Sequence, residues 1–320
     1  EAIERVSHDH LFVLTDTNTE HYCWPLIKDF AIMQGTQMIT IAPTDEAKNI
    51  STLTKVWSAL QEVGASRHSL MVNLGGGMVT DLGGFAASTF KRGIHFVNIP
   101  TTLLSMVDAS VGGKTGVNYR SLKNEIGVFN TADAVIIDTQ FLKTLSNKEI
   151  LSGYAEMLKH GLLSSKENWA ELLCFDISAP DYEVLQSMVA KSVAIKEQIV
   201  KEDPTEKGIR KALNLGHTIG HAIEAASHFT VSHGQAVAIG IAIVARSCGC
   251  PDASRIEALL KAFGLPVTTD IPAQTLLGYT LSDKKRSRNS VRMILPNAIG
   301  SCRMEDIPVS QLQSFIEAGL

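Results

Sequence analysis

Residues 69–85 read SLMVNLGGGMVTDLGGF. An apolar run, LMVNL, ends on three consecutive glycines. A second apolar stretch follows with helical spacing. Such a run bounded by glycine predicts a buried strand, a tight turn and the start of a helix. Glycines at that junction let backbone approach a phosphate, and the helix N-terminus favours the anion. The strict G-x-G-x-x-G spacing is not met. Gly75 and Gly77 fit, but Thr80 stands at the third position. By its pattern alone the stretch is as compatible with a plain tight turn as with a dinucleotide site.

The same rhythm extends outward. HLFVLTD (10–16), MITIAP (38–43), IHFVNIP (94–100) and AVIIDT (134–139) read as further buried strands. ISTLTKVWSALQEVG (50–64) carries apolar residues at helical spacing and stops on Gly64. Strand, turn, helix and strand in alternation predict a parallel sheet covered by helices. Beyond Thr144 the strand signal fades. NKEILSGYAEMLKHGLLS, DYEVLQSMVAKSVAIKEQIVKED, KALNLGHTIGHAIEAAS, GQAVAIGIAIVARSCG and DASRIEALLKAFG all read as helices, and SVRMILP is the one late strand candidate. The expected organisation is an α/β domain over residues 1–144 and a mainly helical domain over 145–320. A length of 320 residues suits two domains.

With 45% apolar and 19% charged residues, the chain has material for large cores. A net charge of −4 argues against a general nucleic-acid partner. No apolar run is long enough to predict a membrane span. Five dispersed cysteines, at 23, 174, 248, 250 and 302, suit reduced thiols and a cytoplasmic enzyme. GGKT (112–115) matches the tail of a P-loop, but Asp108 occupies the place of its first glycine. What remains is a double glycine beside Lys114, followed by Lys123 and Asn124, a set able to grip a phosphate or carboxylate.

GIRKALNLGHTIGHAIE (208–224) places Arg210, Asn214, His217, His221 and Glu224 at steps of four, three, four and three. On one helix these share a face. A third histidine, His233, follows in SHGQA, and Glu156 lies in GYAEMLKHG with Lys159 one turn on. Histidines with a carboxylate suit Zn²⁺ with an open coordination position. Thr218 replaces the glutamate of H-E-x-x-H, which disfavours a metalloprotease. The residues alone allow three ligand sets: His217/His221/His233, His217/His221/Glu156 or His217/His233/Glu156.

Taken together, GGGMVTDLGGFAASTFKRG, IPTTLLSMVDASVGGKTGVN, LKNEIGVF, LSGYAEMLKHG, GIRKALNLGHTIGHAIE, SHGQAVAIG and DKK followed by SVRMILPNAIG occur in the order and spacing of one family. The chain resembles the 3-dehydroquinate synthases. The resemblance implies an N-terminal Rossmann-like domain that binds NAD and a helical domain that binds Zn²⁺, with Co²⁺ as a possible substitute. It also implies a homodimer. The implied reaction takes 3-deoxy-D-arabino-heptulosonate 7-phosphate to 3-dehydroquinate and phosphate, with NAD recycled in each turnover.

Carried over residue by residue, the metal ligands fall on Glu156, His217 and His233, and His221 becomes a non-ligand facing the substrate. The NAD contacts fall on Asp45, Lys48, Gly75, Gly76, Gly77, Asp81, Thr101, Thr102 and Lys123. The substrate groups fall on Asp108, Lys114, Asn124, Lys159, Lys196, Arg210, Asn214 and one of Lys284 or Lys285. Arg92, in FKRG, would reach the partner subunit's phosphate site. Two rival readings share the architecture. One is a metal-dependent polyol dehydrogenase that releases NADH, and the other is a sister cyclase acting on sedoheptulose 7-phosphate or glucose 6-phosphate.

Overall fold

The computed structural model describes residues 1–120, 122–282 and 289–320. The chain divides into two compact units, Glu1–Ser146 and Asn147–Leu320. Lys284 and Lys285 lie outside the described residues.

Unit 1 is built on a five-stranded parallel sheet of β1 (Leu11–Asp16), β2 (Gln37–Ile41), β3 (Leu70–Gly75), β4 (His95–Pro100) and, past a hairpin described below, β7 (Ala134–Val135). The order is β2-β1-β3-β4-β7. Every residue of β1 and of β3 is buried, the expected state of central parallel strands covered on both faces. The helices are α1 (Thr17–Tyr22), α2 (Ile50–Glu62) and α3 (Gly77–Thr89). Asn49 caps α2 by accepting from the Thr52 amide at 3.0 Å, and Leu53, Val56 and Leu60 turn one face of it into the core. The chain leaves β1 for β2 on one side and then crosses to β3 on the other. The strand order therefore reverses at the carboxyl ends of β1 and β3. In open sheets of this kind, that reversal is where a ligand crevice forms.

One part of unit 1 departs from the sequence reading. The segment around Lys114, read as a glycine loop, is an antiparallel hairpin of β5 (Lys114–Tyr119) and β6 (Leu122–Phe129). Lys123 and Asn124 sit on β6, not on a loop. Gly116 and Gly127 face each other across the pair, and a Cβ on either would run into the opposite backbone.

Unit 2 is mainly helical. It contains α4 (Asn147–Ser164), α5 (Lys166–Leu173), α6 (Tyr182–Glu202), α7 (His217–Ala226), α8 (His233–Ser247), α9 (Ala253–Ala262) and α10 (Ala273–Ser282). The antiparallel pair β8 (Ser290–Ala298) and β9 (Ser301–Pro308) and then α11 (Val309–Gly319) follow. SVRMILP forms most of β8; the partner strand β9 carries too many exposed polar residues to be read as a strand. Helix α8 is buried from Ala236 to Ala245 on all sides, as a helix apolar all round must be. It packs against α4, α7, α9 and α11 and is the centre of the unit.

The stretch 208–224 is not one helix. Residues Ile209–Asn214 form a 3₁₀ turn, Gly216 takes the left-handed conformation (φ 77°), and α7 begins at His217. The common face inferred for Arg210, Asn214, His217, His221 and Glu224 therefore holds only for the last three. Gly216 also sits against α8, where a Cβ would lie 2.6 Å from Ile241 Cγ1 and 2.8 Å from the Val237 carbonyl. On the α8 side, a Cβ at Gly240 would strike the Gly216 carbonyl. Gly234, in the first turn of α8, leaves no room for a Cβ against the Ser152 backbone of α4, and its amide donates to Ser152 Oγ at 3.0 Å.

These contacts predict opposite outcomes for two glycine-to-alanine changes within helices. At Gly240 the gain in helix propensity, up to about 1 kcal/mol, is opposed by overpacking of about 1–3 kcal/mol. A backbone carbonyl cannot move aside like a rotamer, so Gly240→Ala lowers the thermal midpoint by several degrees, at roughly 2–4 °C per kcal/mol. Gly278 in α10 has open space around its Cβ position among the described residues, so Gly278→Ala raises the midpoint. Calorimetry of the two variants in parallel checks the sign of each.

Candidate active site

Three helices supply the candidate metal centre of unit 2. Glu156 projects from the middle of α4 with no solvent exposure. His217 and His233 are the first residues of α7 and α8. His217 Nε2 lies 3.4 Å from Glu156 Oε1, and His233 Nε2 lies 3.3 Å from the same oxygen. The opposite ring nitrogens are engaged elsewhere: His217 Nδ1 with the Leu215 carbonyl at 3.1 Å, and His233 Nδ1 with Glu224 Oε2 at 3.3 Å. Both rings thus turn Nε2 toward one carboxylate. Ligand atoms of Glu156, His217 and His233 all lie within 4.8 Å of one another. Two imidazoles and one carboxylate form a donor set suited to Zn²⁺ with a position left open for substrate.

The charge balance fits a cation. Burial pushes His217 well below the usual imidazole range, although Glu156 pulls the other way, so it is a neutral donor. Burial also works against positive charge at His233, but Glu156 and Glu224 outweigh it and raise its pKa to about 10. A metal at Nε2 would displace that proton. Lys159 is buried and ion-paired with Glu156. A buried pair of this kind contributes little net stability and is costly to break, so its placement beside the histidines points to chemistry.

His221 lies outside the Glu156 group. It is exposed, and its ring stands edge-on to His217 with centroids 5.5 Å apart. It belongs to a second cluster with Glu224 and His233. Lys196 is buried on α6. Arg210 is 2% exposed and donates to the Pro204 carbonyl at 2.6 Å, while Asn214 donates to Glu206 Oε1 at 2.6 Å. Both side chains are thus held by the 203–208 loop. Asp203 holds that loop closed, accepting from the amides of Lys207, Gly208 and Arg210 at 2.6–3.1 Å.

Unit 1 gathers the other candidates at the carboxyl ends of its strands. Gly75 ends β3, Gly76 is the N-cap residue of α3, and Gly77 is its first residue. No side chain caps that N-terminus among the described residues. A Cβ at Gly76 would lie 3.0 Å from Thr102 Cγ2, and one at Gly77 would lie 3.1 Å from the Ala109 Cβ. Thr101 continues from β4, its amide bonded to the Gly75 carbonyl at 3.0 Å. Thr102 and Ser105 hold each other through reciprocal hydroxyl bonds. A bare glycine turn at a helix N-terminus, placed where the strand order reverses, fits the pyrophosphate of a dinucleotide.

Beside it, Lys48 is 5% exposed and donates to Asp81 Oδ2 and Asn124 Oδ1, each at 2.5 Å. Asn124 is in the left-handed region (φ 52°), and its amide bonds Asn118 Oδ1 at 3.0 Å. Lys123 pairs with Asp45 at 3.3 Å. Asp108 is half-buried in a π-helical turn over Ser105–Ala109, and Lys114 is exposed at the start of β5. Lys91 and Arg92 both have positive φ, 49° and 69°, in an exposed turn after α3. The residue readings did not foresee the Lys48–Asn124 bond, because nothing in spacing relates positions so far apart. Glu224 lay in the recognised stripe, but its bond to His233 needs the α7–α8 packing to be seen.

Residues 38–152 match the family described as 3-dehydroquinate synthase N-terminal, and residues 153–286 match 3-dehydroquinate synthase C-terminal. The chain belongs to the 3-dehydroquinate synthase family. A 3-dehydroquinate synthase of Parabacteroides distasonis is 46% identical over 312 residues, covering 94% of this chain and 88% of that protein. Among solved structures, a 2-deoxy-scyllo-inosose synthase complexed with carbaglucose-6-phosphate, NAD⁺ and Co²⁺ superposes with a TM-score of 0.88. It is 25% identical and covers 99% of this chain and 92% of its own. A 2-epi-5-epi-valiolone synthase from Streptomyces hygroscopicus subsp. jinggangensis 5008, with NAD⁺ and Zn²⁺ bound, shares the fold with a TM-score of 0.87 and 24% identity. It covers 98% of this chain and 91% of its own.

The geometry separates the histidines of α7. His217→Ala removes a donor that points at Glu156 and is expected to abolish stoichiometric Zn²⁺ binding. His221→Ala is expected to retain it. Metal analysis of both purified variants checks the difference; a metal-free His221→Ala protein contradicts the Glu156/His217/His233 grouping.

Proposed function

We propose that this chain is a 3-dehydroquinate synthase, a carbon–oxygen lyase that converts 3-deoxy-D-arabino-heptulosonate 7-phosphate to 3-dehydroquinate and phosphate. The observation that carries the proposal is the convergence of His217 and His233 on the buried Glu156, with Lys159 beside it, in a chain of this family. In this reading NAD binds unit 1 at the 75–77 turn, with Asp45, Lys48, Asp81, Thr101, Thr102 and Lys123 around it, and Zn²⁺ binds unit 2 at Glu156, His217 and His233. When bound, NAD supplies a hydride acceptor and the metal a Lewis acid for an alcohol oxygen.

The chain's own residues do the rest. Lys159 and Lys196 are buried lysines, and Arg210 is a buried guanidinium. Within unit 2 these cationic side chains suit an anionic substrate group, and the family resemblance adds Lys114 and Asn124 of unit 1. Asp108, Asn214 and one of Lys284 or Lys285 complete the proposed substrate set. His221 is exposed next to His217 and has the imidazole chemistry to take a proton from a substrate hydroxyl at its ring nitrogen. A polyol dehydrogenase would have no need of such a cationic set.

We read the enzyme as a cytoplasmic homodimer in the shikimate route to aromatic amino acids. Five free cysteines support a reducing compartment. No described helix is long and apolar enough to cross a membrane. The family resemblance places Arg92 at a second copy's site, and Arg92 stands in an exposed turn with positive φ.

Two measurements follow. Incubation with the heptulosonate phosphate, Zn²⁺ and catalytic NAD⁺ is expected to release phosphate without net NADH. Stoichiometric NADH would indicate the dehydrogenase, and turnover of sedoheptulose 7-phosphate or glucose 6-phosphate instead would indicate a sister cyclase. For the dimer, Arg92→Ala and His217→Ala are each expected to be nearly inactive. Mixing them through dissociation and reassembly restores activity, because a hybrid dimer holds one intact site. A mixture no more active than its components contradicts a shared site.

A further inference from the structure

We infer that Glu224 is a positioning residue that fixes the tautomer and aim of His233. The inference rests on the metal centre proposed above. The two candidate ligand histidines are oriented in different ways. His217 Nδ1 faces a neutral acceptor, the Leu215 carbonyl at 3.1 Å, two residues back in its own chain segment. His233 Nδ1 faces an ionisable one, Glu224 Oε2 at 3.3 Å, on the neighbouring helix. Glu224 is 6% exposed, so its carboxyl group has little access to water and requires a partner inside the protein.

A neutral imidazole carries one N–H. If that N–H points at Glu224, the lone pair is on Nε2, the atom 3.3 Å from Glu156 Oε1. A carboxylate in this position holds the ring in plane and makes the other nitrogen a stronger donor. The packing makes the contact specific. Glu224 and His217 lie on the same face of α7, and α7 is held against α8 where Gly216 meets Gly240. The α7–α8 contact that sets the separation of the two ligand rings therefore also brings Glu224 to the back of one of them. Glu224 touches a ligand and not the ligand site of the Glu156 group, so it acts through His233.

The experiment measures Zn²⁺ affinity of the full chain by competition with a chromophoric chelator. Wild type is compared with Glu224→Ala, Glu224→Gln, His217→Ala and Glu156→Gln. The visible spectrum of the Co²⁺ form serves as a second readout. Glu224→Ala is expected to weaken Zn²⁺ binding about 10–100-fold and to alter the Co²⁺ bands. Glu224→Gln keeps an acceptor oxygen in place and is expected to recover most of the affinity and the wild-type band shape. A merely structural role would not give that rescue at matched metal-free thermal midpoints. Equal affinity in wild type, Glu224→Ala and Glu224→Gln overturns the positioning role alone. Metal lost from Glu224→Gln but kept by Glu156→Gln and His217→Ala overturns it in favour of Glu224 as a direct ligand with His221 and His233. A wild-type chain that takes up no Zn²⁺ overturns the metal centre itself.

Discussion

The chemistry of unit 2 depends on three helices meeting more closely than side chains would allow. Helix α8 touches α4 through Gly234 against Ser152, and α7 through Gly240 against Gly216. Each contact brings backbone to backbone. His217 and His233 stand at the first positions of α7 and α8, so those contacts place their rings. At helix starts the rings point away from the helix bodies, toward the middle of α4, where Glu156 is fully buried. A longer separation at either glycine would carry a nitrogen out of reach of the carboxylate.

That arrangement is expensive by itself. Helix N-termini carry partial positive charge, and two of them face a region that already holds Lys159 and is suited to a divalent cation. Glu156 and Glu224 offset this, one from the α4 side and one from behind His233. The opposite directions of the two histidines follow from the same balance: burial dominates at His217, and two carboxylates dominate at His233. Unit 1 shows similar economy. The buried Lys48 ties Asp81 of α3 to Asn124 of β6 next to the glycine turn, which holds the β5–β6 hairpin against the helix whose N-terminus that turn opens.

Much of the architecture was legible because burial writes itself into sequence. Strands buried on both faces are mostly apolar, so 11–16, 70–75 and 95–100 were readable as strands of a parallel sheet. The β5–β6 pair was not, since β6 is mostly exposed and the strands are interrupted by Gly116 and Gly127, and so resemble loops. Regular spacing from Arg210 to Glu224 suggested one helix; the left-handed Gly216 breaks it, and periodicity cannot register a conformation. The metal group needed more than residue types. Three ligand sets were compatible with the sequence, and the choice among them depends on α4 and α8 being adjacent, a long-range fact that no local pattern contains.

The central claim is that Glu156, His217 and His233 hold one metal ion, with His221 outside the ligand set. X-ray absorption at the zinc edge of the loaded protein tests it most directly. The account predicts a shell of two imidazole nitrogens and one carboxylate oxygen at about 2.0–2.2 Å, together with exchangeable oxygen from solvent. A shell with three imidazoles, or one that loses an imidazole in His221→Ala but not in His217→Ala, would contradict it.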